Sequence, residues 1–113
     1  MKIDNTKAQM RKGILEYCIL EILESSDAYA SDIIETLKKA KLIVVEGTLY
    51  PLLTRLKNAG LLEYRWEESN SGPPRKYYSL SKSGKEFQKD LKITWEELQT
   101  AVKIITNTPK NHE

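Results

Sequence analysis

The chain has a single cysteine, Cys18, among its 113 residues. An intrachain disulfide is therefore impossible, and with it the stapled framework of a small secreted domain. There is also a single histidine, His112. One thiol and one imidazole so far apart in sequence do not make the clustered ligands of a zinc set. Nor do they make a nucleophile with an adjacent base, and the five glycines form no phosphate-binding loop. Neither an enzyme, a metal site nor a cofactor is expected. No apolar run approaches the roughly 20 residues of a membrane span, and the opening Met1-Lys2-Ile3-Asp4-Asn5-Thr6-Lys7 carries no apolar stretch of a signal peptide. The expectation is a cytoplasmic protein without membrane contact. The net charge of +2 is nearly balanced, so a basic surface can only be local.

Hydrophobic residues make up 40% of the chain and charged residues 30%, with only five glycines and four prolines. Such a composition folds, and favours helices. From about residue 7 to 24, Met10, Ile14, Leu15, Tyr17, Cys18, Ile19, Ile22 and Leu23 recur at helical spacings over a wide arc, which predicts a first helix buried on most of its surface. A second, over about 30–41, carries Ile33, Ile34 and Leu37 on one side. Leu42-Ile43-Val44-Val45 is a β-branched run that predicts a brief strand or an extended connector.

A third helix is predicted over 47–59, with Leu49, Leu52, Leu53 and Leu56 at i, i+3, i+4 and i+7, Pro51 in its first turn and Gly60 as its stop. Beyond it the period becomes two. Leu62, Tyr64 and Trp66 alternate with charged residues, and Lys76-Tyr77-Tyr78-Ser79-Leu80 alternates again after the Ser69–Pro74 break, predicting a hairpin with a long polar tip. Of its paired tyrosines, Tyr78 shares a face with Leu80 and is assigned to the core. Ser81 then caps a helix over 82–106, about 37 Å long, which Pro109 follows.

The expected architecture is mostly helical with a small β-hairpin: a winged helix-turn-helix over residues 1–81, one long C-terminal helix over 82–108, and a frayed tail over 109–113. In such a domain the third helix enters the major groove and the hairpin flanks it. Opposite the four leucines lie Gly47, Pro51, Thr54 and Asn58, flanked by Thr48 and Arg55 on one side and Tyr50 and Lys57 on the other. Gly47 and Thr48 allow close backbone approach to phosphate at the positive end of the helix. Tyr50 suits a phosphate or a thymine methyl, and Arg55 and Lys57 suit phosphates. On the wing, the neighbouring cations Arg75 and Lys76, followed by Tyr77, form a second phosphate anchor. Lys2, Lys7, Arg11 and Lys12 are weaker candidates near the first helix. A winged helix that binds protein instead of DNA fits the same pattern, and a steep loss of duplex affinity with salt separates the two.

Along the last helix, Phe87, Leu91, Trp95, Leu98, Val102 and Ile105 step by four, four, three, four and three, the near-heptad rhythm of helix-on-helix packing. A second copy of the chain is the expected partner, which makes a homodimer.

The run Glu46-Gly47-Thr48-Leu49-Tyr50-Pro51-Leu52-Leu53-Thr54-Arg55-Leu56, then Gly60-Leu61-Leu62, then Pro74-Arg75-Lys76-Tyr77-Tyr78-Ser79-Leu80-Ser81-Lys82-Ser83-Gly84 resembles the PadR family of transcriptional regulators, in order along nearly the whole chain. The single C-terminal helix resembles that family's short subgroup. The resemblance implies a homodimeric repressor on an inverted-repeat operator in double-stranded DNA, released in many members by a small aromatic effector. It also implies that Trp95, from both subunits, flanks a planar ligand; packing of Trp95 in the dimer interface is the alternative. Two positions depart from the family pattern. Glu46 stands where a smaller polar residue is common, and Ala30-Ser31 replaces a glycine-tyrosine type of sequence.

Overall fold

The computed structural model describes residues 1–42 and 44–109. The elements run α1 (Ile3–Ser25), β1 (Ala28–Tyr29), α2 (Ala30–Lys39), α3 (Glu46–Asn58), β2 (Leu62–Ser69), β3 (Gly72–Leu80) and α4 (Lys82–Thr106). The fold is mostly helical with a small antiparallel sheet of order β1-β3-β2, a winged helix-turn-helix with a long C-terminal helix. Expectations for residues 110–113 and for Ile43 lie outside the described residues.

The core is where the three short-period patterns meet. Ile19, Leu20 and Leu23 of α1, Ile33 and Leu37 of α2, and Leu49, Leu53 and Leu56 of α3 close over Leu62, Tyr78 and Leu80 of the sheet. Tyr78 takes the core side as its alternation with Leu80 requires. Burial of α1 is less extensive than its sequence predicts. The helix begins at Ile3, and only its C-terminal half reaches this core; residues 7–13, Met10 included, are exposed. An apolar residue at helical spacing buries only where a neighbouring element covers it, and residues 7–13 are left uncovered.

The short strand falls elsewhere, and of the two readings of 42–45 the described residues Leu42, Val44 and Val45 fit the connector. The strand is Ala28–Tyr29, before α2, and it pairs with Tyr78 and Tyr77 of β3; Leu42, Val44 and Val45 are not in a strand, although Val44 is buried. Pairing with an existing edge, not β-branching, decides the matter here.

The hairpin differs in its turn. Glu67 pairs with Arg75 and Ser69 with Gly72, so the loop shortens to Asn70-Ser71 and Pro73 and Pro74 belong to β3. A register irregularity falls at this point. Proline removes a ladder donor, and both are tolerated there because they fall in the irregular stretch of the β2 register between the Arg75 and Gly72 pairs, while on the other flank β1 reaches only Tyr77 and Tyr78.

Both helix-turn-helix helices end in the same backbone motif. In α3, Gly60 takes a left-handed φ of 81°, while Leu61 N donates to the Leu56 carbonyl at 3.0 Å and Gly60 N to Lys57 at 2.9 Å. In α2, Leu42 N donates to Leu37 at 2.9 Å and Lys41 N to Lys38 at 3.0 Å, with Lys41 itself at φ 68°. A side chain there carries a cost glycine does not. At the start of α4, Ser81 Oγ accepts from Gly84 N at 2.9 Å and its hydroxyl donates to the Gly60 carbonyl at 2.6 Å. Gly84 lies against Leu61; a Cβ there would stand 2.0 Å from the Leu61 carbonyl oxygen. The long helix is thus fastened to the turn that follows α3.

Candidate nucleic-acid interface

Helix α3 divides cleanly. Leu49, Leu53 and Leu56 are buried, while Gly47, Thr48, Tyr50, Pro51, Thr54, Arg55, Lys57 and Asn58 are exposed. Pro51 stands inside the helix and not in its first turn, so the Gly47 carbonyl has no i+4 donor. No side chain caps the α3 N-terminus; Thr48 N and Leu49 N donate to the Val45 carbonyl at 3.0 Å each, and among the described residues the Glu46 and Gly47 N–H groups have no acceptor. A Cβ on Gly47 would meet nothing within 4 Å. The protein itself leaves that space empty, which is the condition for close approach by something else.

Two borders frame this face. On the α1 side, Arg55 Nη1 donates to Glu16 Oε1 at 2.8 Å, with the carboxylate largely covered and the arginine open. Arg55 therefore holds α3 against α1 as well as facing outward. On the sheet side, Lys57 lies 5.9 Å from the Tyr64 ring centre.

The wing cations part company. Adjacent strand residues point to opposite faces. Arg75 stacks its guanidinium 4.0 Å from the Tyr29 ring centre and donates to Ser31 Oγ at the start of α2. Lys76 turns toward Tyr64 and Trp66, 4.6 and 5.6 Å from their ring centres. Tyr77, half-buried, packs 4.7 Å from Tyr29, with the Arg65 guanidinium 4.6 Å from its ring. Arg65 is in turn held by Glu67 at 2.8 Å and Asp27 at 3.2 Å.

Between α3 and the wing lies a cleft of about 410 Å³, lined among others by Tyr29, Glu46, Tyr50, Trp66, Arg75 and Lys76. Sequence reasoning placed Trp66 on a half-buried strand face and missed that it is 62% exposed. Its excess of aromatic surface over what the core needs was the available signal. Glu46 is exposed and makes no capping bond of its own, and Ser31 serves as the acceptor for Arg75.

Residues 19–90 match the transcriptional regulator PadR-like family. The chain belongs to that family. Among solved structures, a PadR-like transcription factor from Bacteroides fragilis is 61% identical, with a TM-score of 0.77 and 89% of this chain and 98% of that one covered. A PadR family transcriptional regulator from Eggerthella lenta is 28% identical, with a TM-score of 0.82 and coverages of 95% and 94%. A PadR-like transcriptional regulator from Bacillus cereus is 34% identical, with a TM-score of 0.79 and coverages of 89% and 99%. Family and fold together make this PadR-like protein a DNA-binding transcriptional regulator and not an enzyme.

The second candidate region of this PadR-like chain lies along α4. Phe87, Leu98, Val102 and Ile105 are exposed, whereas Leu91 and Trp95 are half-buried. Trp95 faces α1, with its ring centre 6.4 Å from that of Tyr17. Around it opens a groove of about 400 Å³ lined by Met10, Gly13, Ile14, Tyr17, Leu91 and Leu98 among others. The Tyr17 hydroxyl donates to Glu21 at 2.6 Å; burial first, then this bond, pushes its pKa well above the ordinary tyrosine value. Cys18, next to it, has its thiol pushed up by burial and then by the Glu21 charge, so it is a poor nucleophile. Among the described residues no group of three or more potential ligands could hold a metal ion, and His112 lies outside them. No helix among them is long and apolar enough to cross a membrane.

Proposed function

We propose that this regulator is a homodimeric cytoplasmic repressor that reads an inverted-repeat operator with α3 of each subunit and grips the backbone with each wing. The observation that carries the DNA contact is the clean division of α3, with three leucines buried and Gly47, Thr48, Tyr50, Pro51 and Thr54 turned outward around an uncapped N-terminus. Backbone N–H groups there receive a phosphate, while Thr54 and Tyr50 lie along the groove. Arg55, Lys57, Arg75, Lys76 and Tyr77 border this surface and hold the flanking phosphates.

The dimer contact is assigned to Phe87, Leu91, Trp95, Leu98, Val102 and Ile105. Four of the six are exposed in the single chain, on a helix with the step pattern of a helix-packing seam. Two-fold symmetry then sets the half-sites about 34 Å apart. Trp95, with Tyr17 and the apolar groove beside it, suits a planar aromatic effector, whose insertion between the α4 helices would alter the spacing of the reading heads.

Titration of a labelled duplex at rising salt tests the DNA contact. Replacing Arg75 and Lys76 together with Ala should weaken binding to all duplexes and flatten the dependence of log K on log salt by about two. An unchanged slope removes the wing from the contact. For the effector, Trp95→Ala should abolish binding of planar aromatics; loss of dimer stability alone would assign Trp95 to packing.

A further inference from the structure

The cleft between α3 and the wing sets exposed aromatic and cationic side chains next to one another. Trp66 is 62% exposed and Tyr50 46% exposed, although each sits on a well-formed element beside the core. Large aromatic faces left in water are costly, at roughly 25 cal/mol per Å² of apolar area. Cations stand among them: Lys76 is the ladder partner of Trp66 and lies 5.6 Å from its ring, and Arg75 lies 4.0 Å from the Tyr29 ring at the same cleft. The ladder holds Lys76 opposite Trp66, and Ser31 and Tyr29 hold Arg75. Among the lining residues the carboxylate is Glu46, on the first turn of α3, so the wing end of the cleft is cationic and the α3 end carries one negative charge, which places a phosphate toward the wing.

A ligand complementary to this groove has anionic groups at regular intervals joined by apolar, non-aromatic rings. A sugar–phosphate strand has that composition. From these features we infer that the cleft seats one backbone strand of the bound duplex, with the Trp66 indole packed on a deoxyribose and Arg75 and Lys76 on the phosphates either side. The inference rests on the DNA-binding reading and adds to it an apolar contact that sequence reasoning did not contain. Apolar packing on sugar carries no counterion release, so Trp66 contributes affinity without contributing to the salt slope. Sugar packing is also blind to base sequence, so the contribution should be equal on operator and random duplex.

Two measurements on the full chain decide it. The chain has two tryptophans, hence two indole N–H signals by NMR, which Trp66→Phe assigns. On addition of a mixed-sequence duplex in dilute salt, the Trp66 signal should move and become protected from solvent exchange. In parallel, Trp66→Ala should lower duplex affinity about tenfold with an unchanged salt slope. Trp66→Phe should retain most of the affinity, because a ring still fills the site. If the labelled duplex binds while the Trp66 signal stays put and Trp66→Ala binds like the parent, the cleft assignment is wrong and the α3 contact stands. If no duplex binds the parent protein, the DNA-binding reading fails and takes the cleft with it. A Trp66→Ala defect that also flattens the salt slope would mean displaced cations and would overturn the sugar contact.

Discussion

Helices α3 and α4 both carry apolar stripes, yet they end in opposite states. On α3, Leu49, Leu53 and Leu56 are at most 3% exposed; on α4, Phe87, Leu98, Val102 and Ile105 are 44 to 72% exposed. The first stripe has α1, α2 and the sheet packed over it, while beyond Leu91 and Trp95 the second runs past the body of the molecule. Periodicity therefore announces that a face must be covered, but not by what. The helix-turn-helix spends its pattern inside one chain, and α4 leaves most of its own exposed.

The sharpest test of that contrast deletes one leucine from each stripe. Leu53→Ala should cost about 3 kcal/mol at any protein concentration, by chemical denaturation, because it leaves a void in a closed core. Leu98→Ala should act instead through association, lowering the midpoint most in dilute solution and raising the dissociation constant in sedimentation. A concentration-independent loss at Leu98 would erase the distinction between the two stripes.

The junction between the two regions is the next place to press. Gly84→Ala puts a Cβ against the Leu61 carbonyl, a backbone atom that cannot swing aside, and should cost about 2 kcal/mol while displacing α4. Ser81→Ala removes the α4 cap and its bond to Gly60 and should cost about 1 kcal/mol in the same denaturation assay.

Smaller effects belong to the helix-turn-helix alone. Lys41→Gly relieves a left-handed side chain and should stabilise by about 0.5–1 kcal/mol, read as a rise in melting temperature. The Glu16–Arg55 pair, with Arg55 exposed, should show a coupling of about 0.5 kcal/mol in a double-mutant cycle.

Most of the fold could be seen in the residues. The four-leucine pattern and Gly60 located α3 to within a residue, and Ser81 with its near-heptad sequel located α4 over 82–106. What escaped detection had no local signature. Two residues, Ala28 and Tyr29, are too few to alternate, and they become a strand only because β3 offers an edge. Pro73 and Pro74 look like a loop until the partner strand shows that they fall in the irregular stretch between the Arg75 and Gly72 pairs, where neither is a paired position. The interface was legible as a list of residues and not as an arrangement. Arg75 and Lys76 are neighbours in sequence but reach their cleft by leaning on different aromatics, Tyr29 for one and Tyr64 with Trp66 for the other, and Arg55 is shared with Glu16 through a contact 39 positions distant.

The tight seat of Gly84 under Leu61 has a mechanical meaning. A helix clamped at its first turn and braced on α1 as far as Trp95 is a rigid rod of about 37 Å rooted at the turn that follows α3. Tilting such a rod by about 5° carries its far tip roughly 3 Å, and, run in reverse, a modest push at the tip swings the root and whatever is bolted to it. Whichever molecule lies along the distal half of α4 thus holds the long end of a lever whose short end steers α3.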